Sequence, residues 1–128
     1  MTINDMREPT FLILTALAGG KKHGYALIGE TEALSSGRVK LKVGSLYASL
    51  ERLQQEGRVC PAGEEVVGGR LRRYYELTDS GAAALAEEIL RLENNVSKAK
   101  SQLAARLGTA VTGAAMTFVG ASTAGASA

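Results

Sequence analysis

Apolar residues recur at helical spacing in four stretches of this chain and alternate at strand spacing in another. Leu12, Ile13, Ala16 and Leu17 fall at i, i+1, i+4 and i+5 behind Pro9 and Thr10, and Gly19-Gly20 closes the run. This spacing predicts a first helix over Pro9–Ala18, with proline at a position where its missing N–H removes no intrahelical bond. Tyr25 and Ile28, three residues apart, and Ala33 beyond them predict the inward positions of a second helix over His23–Ala33. Lys21-Lys22 before it reads as a short loop, and Leu34-Ser35-Ser36-Gly37 after it as a turn. Arg38–Lys42 alternates basic and apolar residues, as either a short strand or an extended lead into the next helix.

The third helix organises the rest. In Val43–Gly57, Leu46, Leu50 and Leu53 fall at i, i+4 and i+7, one apolar stripe. Ser45, Tyr47, Ser49 and Arg52 lie off that stripe, Gly44 stands at its start, and Gly57 stands where a helix ends in the left-handed conformation. After Gly57 the period changes. Arg58-Val59-Cys60 reads as a short strand, Pro61–Gly69 as a turn-rich tip with three glycines, and Arg70–Leu77 as an alternating strand. The alternation puts Arg73, Tyr75 and Leu77 on one face and Arg72, Tyr74 and Glu76 on the other. Thr78 or Ser80 caps a long last helix. In it Leu85, Ile89, Leu92, Val96, Ala99 and Leu103 form an unbroken 4-3-4-3-4 series. Such a seam runs over about three heptads and calls for a second helix to cover it. Glu87, Glu88 and Glu93 read as solvated positions beside it.

The expected fold is therefore mainly α with a small β-hairpin: a winged helix-turn-helix over residues 1–78, a dimerisation helix over 79–107, and a flexible tail over 108–128 rich in Ala, Gly, Ser and Thr. The tail carries no charge, but its glycines and its shortage of Leu and Ile do not suit a membrane span.

Composition changes this picture little, and charge distribution changes it more. A chain of 128 residues with 45% hydrophobic and 22% charged residues is a globular domain with an aliphatic core, since it lacks Trp. Its net charge of +2 is uninformative, yet residues 35–75 carry eight basic and four acidic groups, whereas each flank is net −1. The excess lies on Lys40, Lys42 and their neighbours before the third helix, and on Arg70, Arg72 and Arg73 in the hairpin. That is the footprint of a surface facing phosphates. A third helix with small polar groups on its outer face suits a DNA major groove, and an arginine-bearing wing suits the backbone or minor groove.

Other chemistry is not supported. The single His23 and single Cys60 are too few for a metal site, so no metal or other cofactor is expected. His23 reads as a helix-start residue and Cys60 as a half-buried strand residue. There is no Ser-His-Asp or Cys-His constellation and no phosphate-cradling glycine loop, so an enzyme is not expected. The N-terminus lacks the basic and apolar regions of a signal peptide, and one cysteine allows no internal disulfide. Both point to the cytoplasm.

Three segments carry a resemblance to a known family: ILTALAGGKKHGYALIGE at Ile13–Glu30, VGSLYASLERLQQEG at Val43–Gly57, and GRLRRYYELTDSGAAAL at Gly69–Leu85. In this order and spacing the chain resembles the PadR family of winged-helix transcriptional regulators, over roughly residues 8–105, and among them the short members whose C-terminal part is one dimerising helix. Two positions depart from the family pattern: Leu71 stands where members commonly have proline, and Val43 where many have proline or another helix-start residue.

The resemblance implies a homodimeric regulator, usually a repressor, that reads a pseudo-palindromic operator in double-stranded DNA. It also implies release by a small aromatic or drug-like effector in some members. Ser45 and Tyr47, with Ser49 on the same helix, would then enter the major groove. Tyr25 would reach a phosphate, and Arg70, Arg72 and Arg73 would serve the wing. Each residue has a plainer reading. Tyr47 packs beside Leu46 and Leu50, Tyr25 fills the core, Ser45 bonds its own helix terminus, and only one of Arg72 and Arg73 faces outward. The competing function is a winged-helix module that binds protein and has no specific affinity for DNA.

Overall fold

The structure, a computed structural model, describes residues 6–108. Its elements are α1 (Glu8–Ala18), β1 (Lys22–His23), α2 (Gly24–Leu34), α3 (Val43–Gln55), β2 (Val59–Val67), β3 (Arg70–Leu77) and α4 (Asp79–Leu107). Four helices and a small antiparallel sheet of order β1-β3-β2 form the winged-helix arrangement expected. The chain packs as two units, one ending at Glu88 and the other beginning at Ile89, so α4 gives its first turns to one and the remainder to the other.

In the first unit the core is built around α1. Ile13, Leu14, Ala16 and Leu17 are buried together with Leu27 of α2, all three stripe leucines of α3, Val59, Tyr75 and Leu85. Burying one such aliphatic side chain contributes about 1.5–3 kcal/mol, so the three leucines at 0–1% exposure fix which side of α3 faces inward. Arg52 also holds α3 to α1: its guanidinium donates to Thr10 Oγ1 at 3.0 Å. The polar face of α3 thus keeps Ser45 and Tyr47 outward, while its one cation, itself exposed, reaches across to α1.

The turns obey their local chemistry. His23 caps α2, its Nδ1 accepting from the backbone N–H of Ala26 at 3.4 Å. The end of α3 is a Schellman motif, in which Gly57 (φ 75°) donates to Gln54 and Arg58 donates to Leu53. Thr78 caps α4: its Oγ1 accepts from Gly81 N–H at 2.9 Å and donates to the carbonyl of Gly57 at 2.7 Å. Arg38–Lys42 forms no strand and leads into α3 in extended conformation, with Lys42 at φ −85°, ψ 153°.

Several expectations need correction. The inward face of α2 is Gly24, Leu27 and Thr31; Tyr25 and Ala33 are exposed, and Ile28 is half-buried. Lys22-His23 is a strand, pairing with Tyr75 and Tyr74, where the sequence suggested a loop at Lys22 and the first helical residue at His23. Two residues are too few for any periodicity to register. Pro61–Val67 belongs to β2 instead of a tip. Proline is tolerated because β2 is an edge strand, and Gly63 (φ 105°) absorbs the bulge between Pro61 and Glu64. The turn itself is only Gly68-Gly69, both at positive φ, the two-residue type that matches hairpin twist. Glu88 is buried, on the face that Gly81 and Leu85 begin, whereas Glu87 and Glu93 are exposed. Leu85 is buried within the first unit, so the open part of the heptad series starts at Ile89.

In the second unit, Ile89, Leu92, Val96, Ala99 and Leu103 are all exposed in the single chain. The tail expected over 108–128 lies, apart from Gly108, outside the described residues. Among the described residues no helix is long and apolar enough to cross a membrane, and no group of three or more His, Cys, Asp or Glu side chains can hold a metal ion.

Candidate nucleic-acid interface

With its leucines buried, α3 presents Gly44, Ser45, Tyr47, Ala48, Glu51, Gln54 and Gln55 to solvent, with Ser49 half-buried. The helix begins without a side-chain cap: Lys42, in the capping position, cannot accept a hydrogen bond from it. Lys40 and Lys42 are exposed just ahead of that start. Ion pairs among the described residues engage Lys22 with Glu30, Arg38 with Glu8, Arg58 with Glu56 and Arg73 with Glu64. Lys40 and Lys42 stand outside these pairs.

Arg38 does not join them. It grips Glu8 with both guanidinium nitrogens, and this hydrogen bonding holds the Glu8 carboxyl below its ordinary range and the guanidinium above its own. The positive field before α3 therefore comes from the two lysines, fewer charges than the sequence count suggests.

Tyr47 is both exposed and packed. It is 39% exposed, yet its ring rests over the start of α2. A Cβ built on Gly24 would lie 2.9 Å from Tyr47 Cζ and closer still to its hydroxyl. The glycine between His23 and Tyr25 is thus a seat for the phenol that α3 presents. Nothing local in the chain signals this contact, because the partner lies 23 positions away on another helix. Tyr25, beside that seat, is 60% exposed and open to a ligand, contrary to its core-filling alternative. Gly24→Ala is expected to displace Tyr47 and destabilise the fold by about 1–2 kcal/mol, as overpacking does. Tyr47→Ala should remove most of that penalty in the double variant, so urea unfolding should show coupling above about 0.5 kcal/mol. Additive effects would separate the two residues.

The hairpin divides its arginines. Its register sets Arg73 opposite Glu64, Arg72 opposite Glu65 and Arg70 opposite Val67. Arg73 Nε is 3.5 Å from Glu64, on the face that Tyr75 continues into the core. On the other face the Tyr74 hydroxyl donates to Glu65 at 2.7 Å. That bond raises the Tyr74 pKa, with Arg72 pulling in the opposite direction. The Lys21 ammonium lies 5.3 Å from the Tyr74 ring centroid, and His23 meets the same ring edge-on. Tyr75 is raised as well, by burial first and by Tyr47 second. Only Arg70, at the turn, is free of an opposing carboxylate. The arginines are countable in the sequence, but that Glu64 and Glu65 face two of them is not, since cross-strand register cannot be read before the turn is located.

Comparison with known proteins places these features in context. The model of the transcriptional regulator PadR-like family matches residues 13–87, which include α2, α3 and the hairpin. The transcriptional regulator Rv3488 of Mycobacterium tuberculosis is 38% identical over 81 residues, covering 63% of this chain and 72% of that one. Among solved structures, Bacillus subtilis PadR in complex with operator DNA aligns with TM-score 0.58 at 25% identity, over 65% of this chain and 48% of that one. A PadR family transcription regulator from hypervirulent Clostridium difficile R20291 aligns with TM-score 0.58 at 26% identity, over 80% of this chain and its own entire length.

Proposed function

The chain belongs to the PadR-like family of transcriptional regulators, and from that premise we propose that it is a cytoplasmic homodimer that binds a pseudo-palindromic operator and represses transcription. The observation that carries this reading is the outward face of α3. It combines exposed hydroxyls at Ser45 and Tyr47 with two lysines, Lys40 and Lys42, that no carboxylate neutralises among the described residues. Hydroxyls suit base edges and phosphates, and unpaired cations suit phosphates. The related Bacillus subtilis protein was solved on operator DNA, which supports the same class of ligand.

In this reading residues 1–78 form the DNA-binding domain and 79–107 the dimerisation helix. Ser45, Tyr47 and Ser49 enter the major groove, while Tyr25, Lys40 and Lys42 meet the flanking phosphates. Arg70 contributes from the wing more than Arg72 or Arg73, because Glu65 and Glu64 face those two. Ile89, Leu92, Val96, Ala99 and Leu103 form the seam between two copies, a use that their exposure in the single chain supports. Release by a small aromatic or drug-like effector belongs to the same proposal, as a mode of control known in the family.

The test is binding to DNA from upstream of the protein's own gene, beside a scrambled fragment, across a salt series. Preference for the native fragment and a steep loss of affinity with salt are expected. Each neutralised phosphate contributes about 0.9 to the slope, so Lys40→Ala with Lys42→Ala should lower a dimer's slope by about 3–4. Equal, weak and salt-insensitive binding to both fragments would favour the protein-binding module instead.

A further inference from the structure

A cavity of about 310 Å³ opens between the end of α3 and the root of the hairpin, with Gln54, Pro61, Gly63, Glu64, Arg73 and Tyr75 in its lining. All six belong to the first unit. The register shift between Pro61 and Glu64 bends β2 at this point, and Gly63, inside the bulge, adds no side chain to fill the space.

Three polar groups of the lining are short of partners. Tyr75 is 7% exposed, yet its hydroxyl makes no hydrogen bond among the described residues. A buried hydroxyl left unmatched costs free energy, and native interiors rarely keep one so. Burial raises its pKa, so the group stays protonated and able to donate. Arg73 meets Glu64 through Nε, at 3.5 Å, which is longer than a charge-assisted hydrogen bond. Its two amino nitrogens make no hydrogen bond among the described residues. Gln54 adds an exposed amide from α3, with both a donor and an acceptor.

The charges define the ligand. One cation and one carboxylate, loosely joined, sum to zero. A lone acid would satisfy Arg73 and be repelled by Glu64, and a lone amine would do the reverse. A molecule with both groups close together satisfies the two at once. Pro61 and the Tyr75 ring beside them suit an apolar substituent. An α-amino acid with an apolar side chain carries these three parts on one carbon.

We propose that this cavity binds a free apolar α-amino acid, its carboxylate on Arg73 and the Tyr75 hydroxyl, its ammonium on Glu64 and its side chain against Pro61. Binding does not rest on the DNA reading above, but its consequence does. The ligand joins α3 to the hairpin, the two elements which that reading sets on DNA. It therefore acts as a co-ligand that tightens operator binding, and the operator tightens its binding by the same factor.

The test is calorimetric titration of the full chain with L-leucine and L-phenylalanine, beside L-leucinamide, isocaproate and glycine. These controls lack the carboxylate, the ammonium and the apolar side chain in turn. One or both amino acids should bind once per chain, and each control should bind weaker by about tenfold or more. Arg73→Gln and Glu64→Gln should each weaken the amino acid by a similar factor. Tyr75→Phe should weaken it about fivefold and leave the melting temperature in place, because a hydroxyl without a partner adds nothing to the fold. The first two variants change exposed side chains and keep the test valid if Tyr75→Phe fails to fold. In a second arm, a saturating amino acid should tighten operator binding about fivefold in the wild type and not in Arg73→Gln.

No binding of either amino acid would overturn the site. Equal binding of the amide or of isocaproate would overturn the ligand class. Affinity that survives both Arg73→Gln and Glu64→Gln would place the ligand elsewhere and overturn the site as well. Binding that leaves operator affinity unchanged would overturn the co-ligand role. A chain that binds the amino acid through these residues but prefers no DNA sequence would overturn the DNA reading and uphold the site.

Discussion

Leu92→Asp is expected to yield a folded monomer that has lost nearly all operator affinity. The first unit does not need this side chain: its core closes with Leu85, and Leu92 belongs to the second unit, where it is 37% exposed in the single chain. A carboxylate there meets water as long as the chain is alone. In the proposed seam it meets the other copy, and two-fold symmetry places the defect on both sides of the interface. Removing two leucine contacts at about 1.5–3 kcal/mol each weakens association by at least two orders of magnitude, before any cost of burying charge. Separated half-site binders also lose the effective concentration that links them, a further factor of about 10²–10⁴ in operator affinity. Sedimentation velocity, circular dichroism and DNA binding on one preparation would decide the matter. A dimer that survives the substitution would remove the seam. An unfolded chain would show that α4 is needed for the first unit's own stability.

Much of this was legible in the sequence, and what was missed shares a cause. The leucine stripe of α3 and the strand face of Tyr75 and Leu77 could be read because helical and strand periods act within one element. The hairpin tip could not be placed, because Pro61 and three glycines mimic a long turn; only the pairing partners across the sheet show that β2 runs to Val67. The same gap hid the acidic partners of Arg72 and Arg73. A composition count gave residues 35–75 a surplus of four positive charges, yet Arg38 is paired with Glu8, Arg58 with Glu56 and Arg73 with Glu64. The site is therefore sharper than the charge cluster that pointed to it: two lysines before α3 and one arginine at the wing turn. Tyr25 shows the reverse error. Three-residue spacing with Ile28 suggested a core position, whereas Leu27 and Thr31, four apart, are the buried pair. An aromatic ring among short apolar residues drew the helical phase toward itself.

Two glycine-to-alanine substitutions should move stability in opposite directions, although both lie in helices. In α2, Gly29 has nothing within 4 Å of the position a Cβ would take. Gly29→Ala should stabilise the chain by about 0.5–1 kcal/mol, because it restricts the unfolded backbone and suits a helix. In the first turn of α4, a Cβ on Gly81 would lie 2.8 Å from Leu77 Cδ1 and closer still to the carbonyl oxygen of Arg58. That carbonyl cannot retreat freely. It accepts from Thr78 N–H at 3.1 Å, and the amide of Arg58 closes the Schellman motif by donating to Leu53 at 2.9 Å. Gly81 itself is fastened through its N–H to the Thr78 cap. The alanine methyl must therefore break the cap, shift the entry to β2 or tilt α4. Overpacking of this kind costs about 1–3 kcal/mol, and backbone on the opposing side puts Gly81→Ala at the upper end even after a propensity gain of about 1 kcal/mol. At fixed protein concentration its melting temperature should fall by roughly 10 °C, while that of Gly29→Ala should rise by a few degrees. If Gly81→Ala melted with the wild type, the end of α3, the start of β2 and the start of α4 would not meet at this junction. The orientation of the hairpin relative to α3, on which the wing's access to DNA depends, would then need another source.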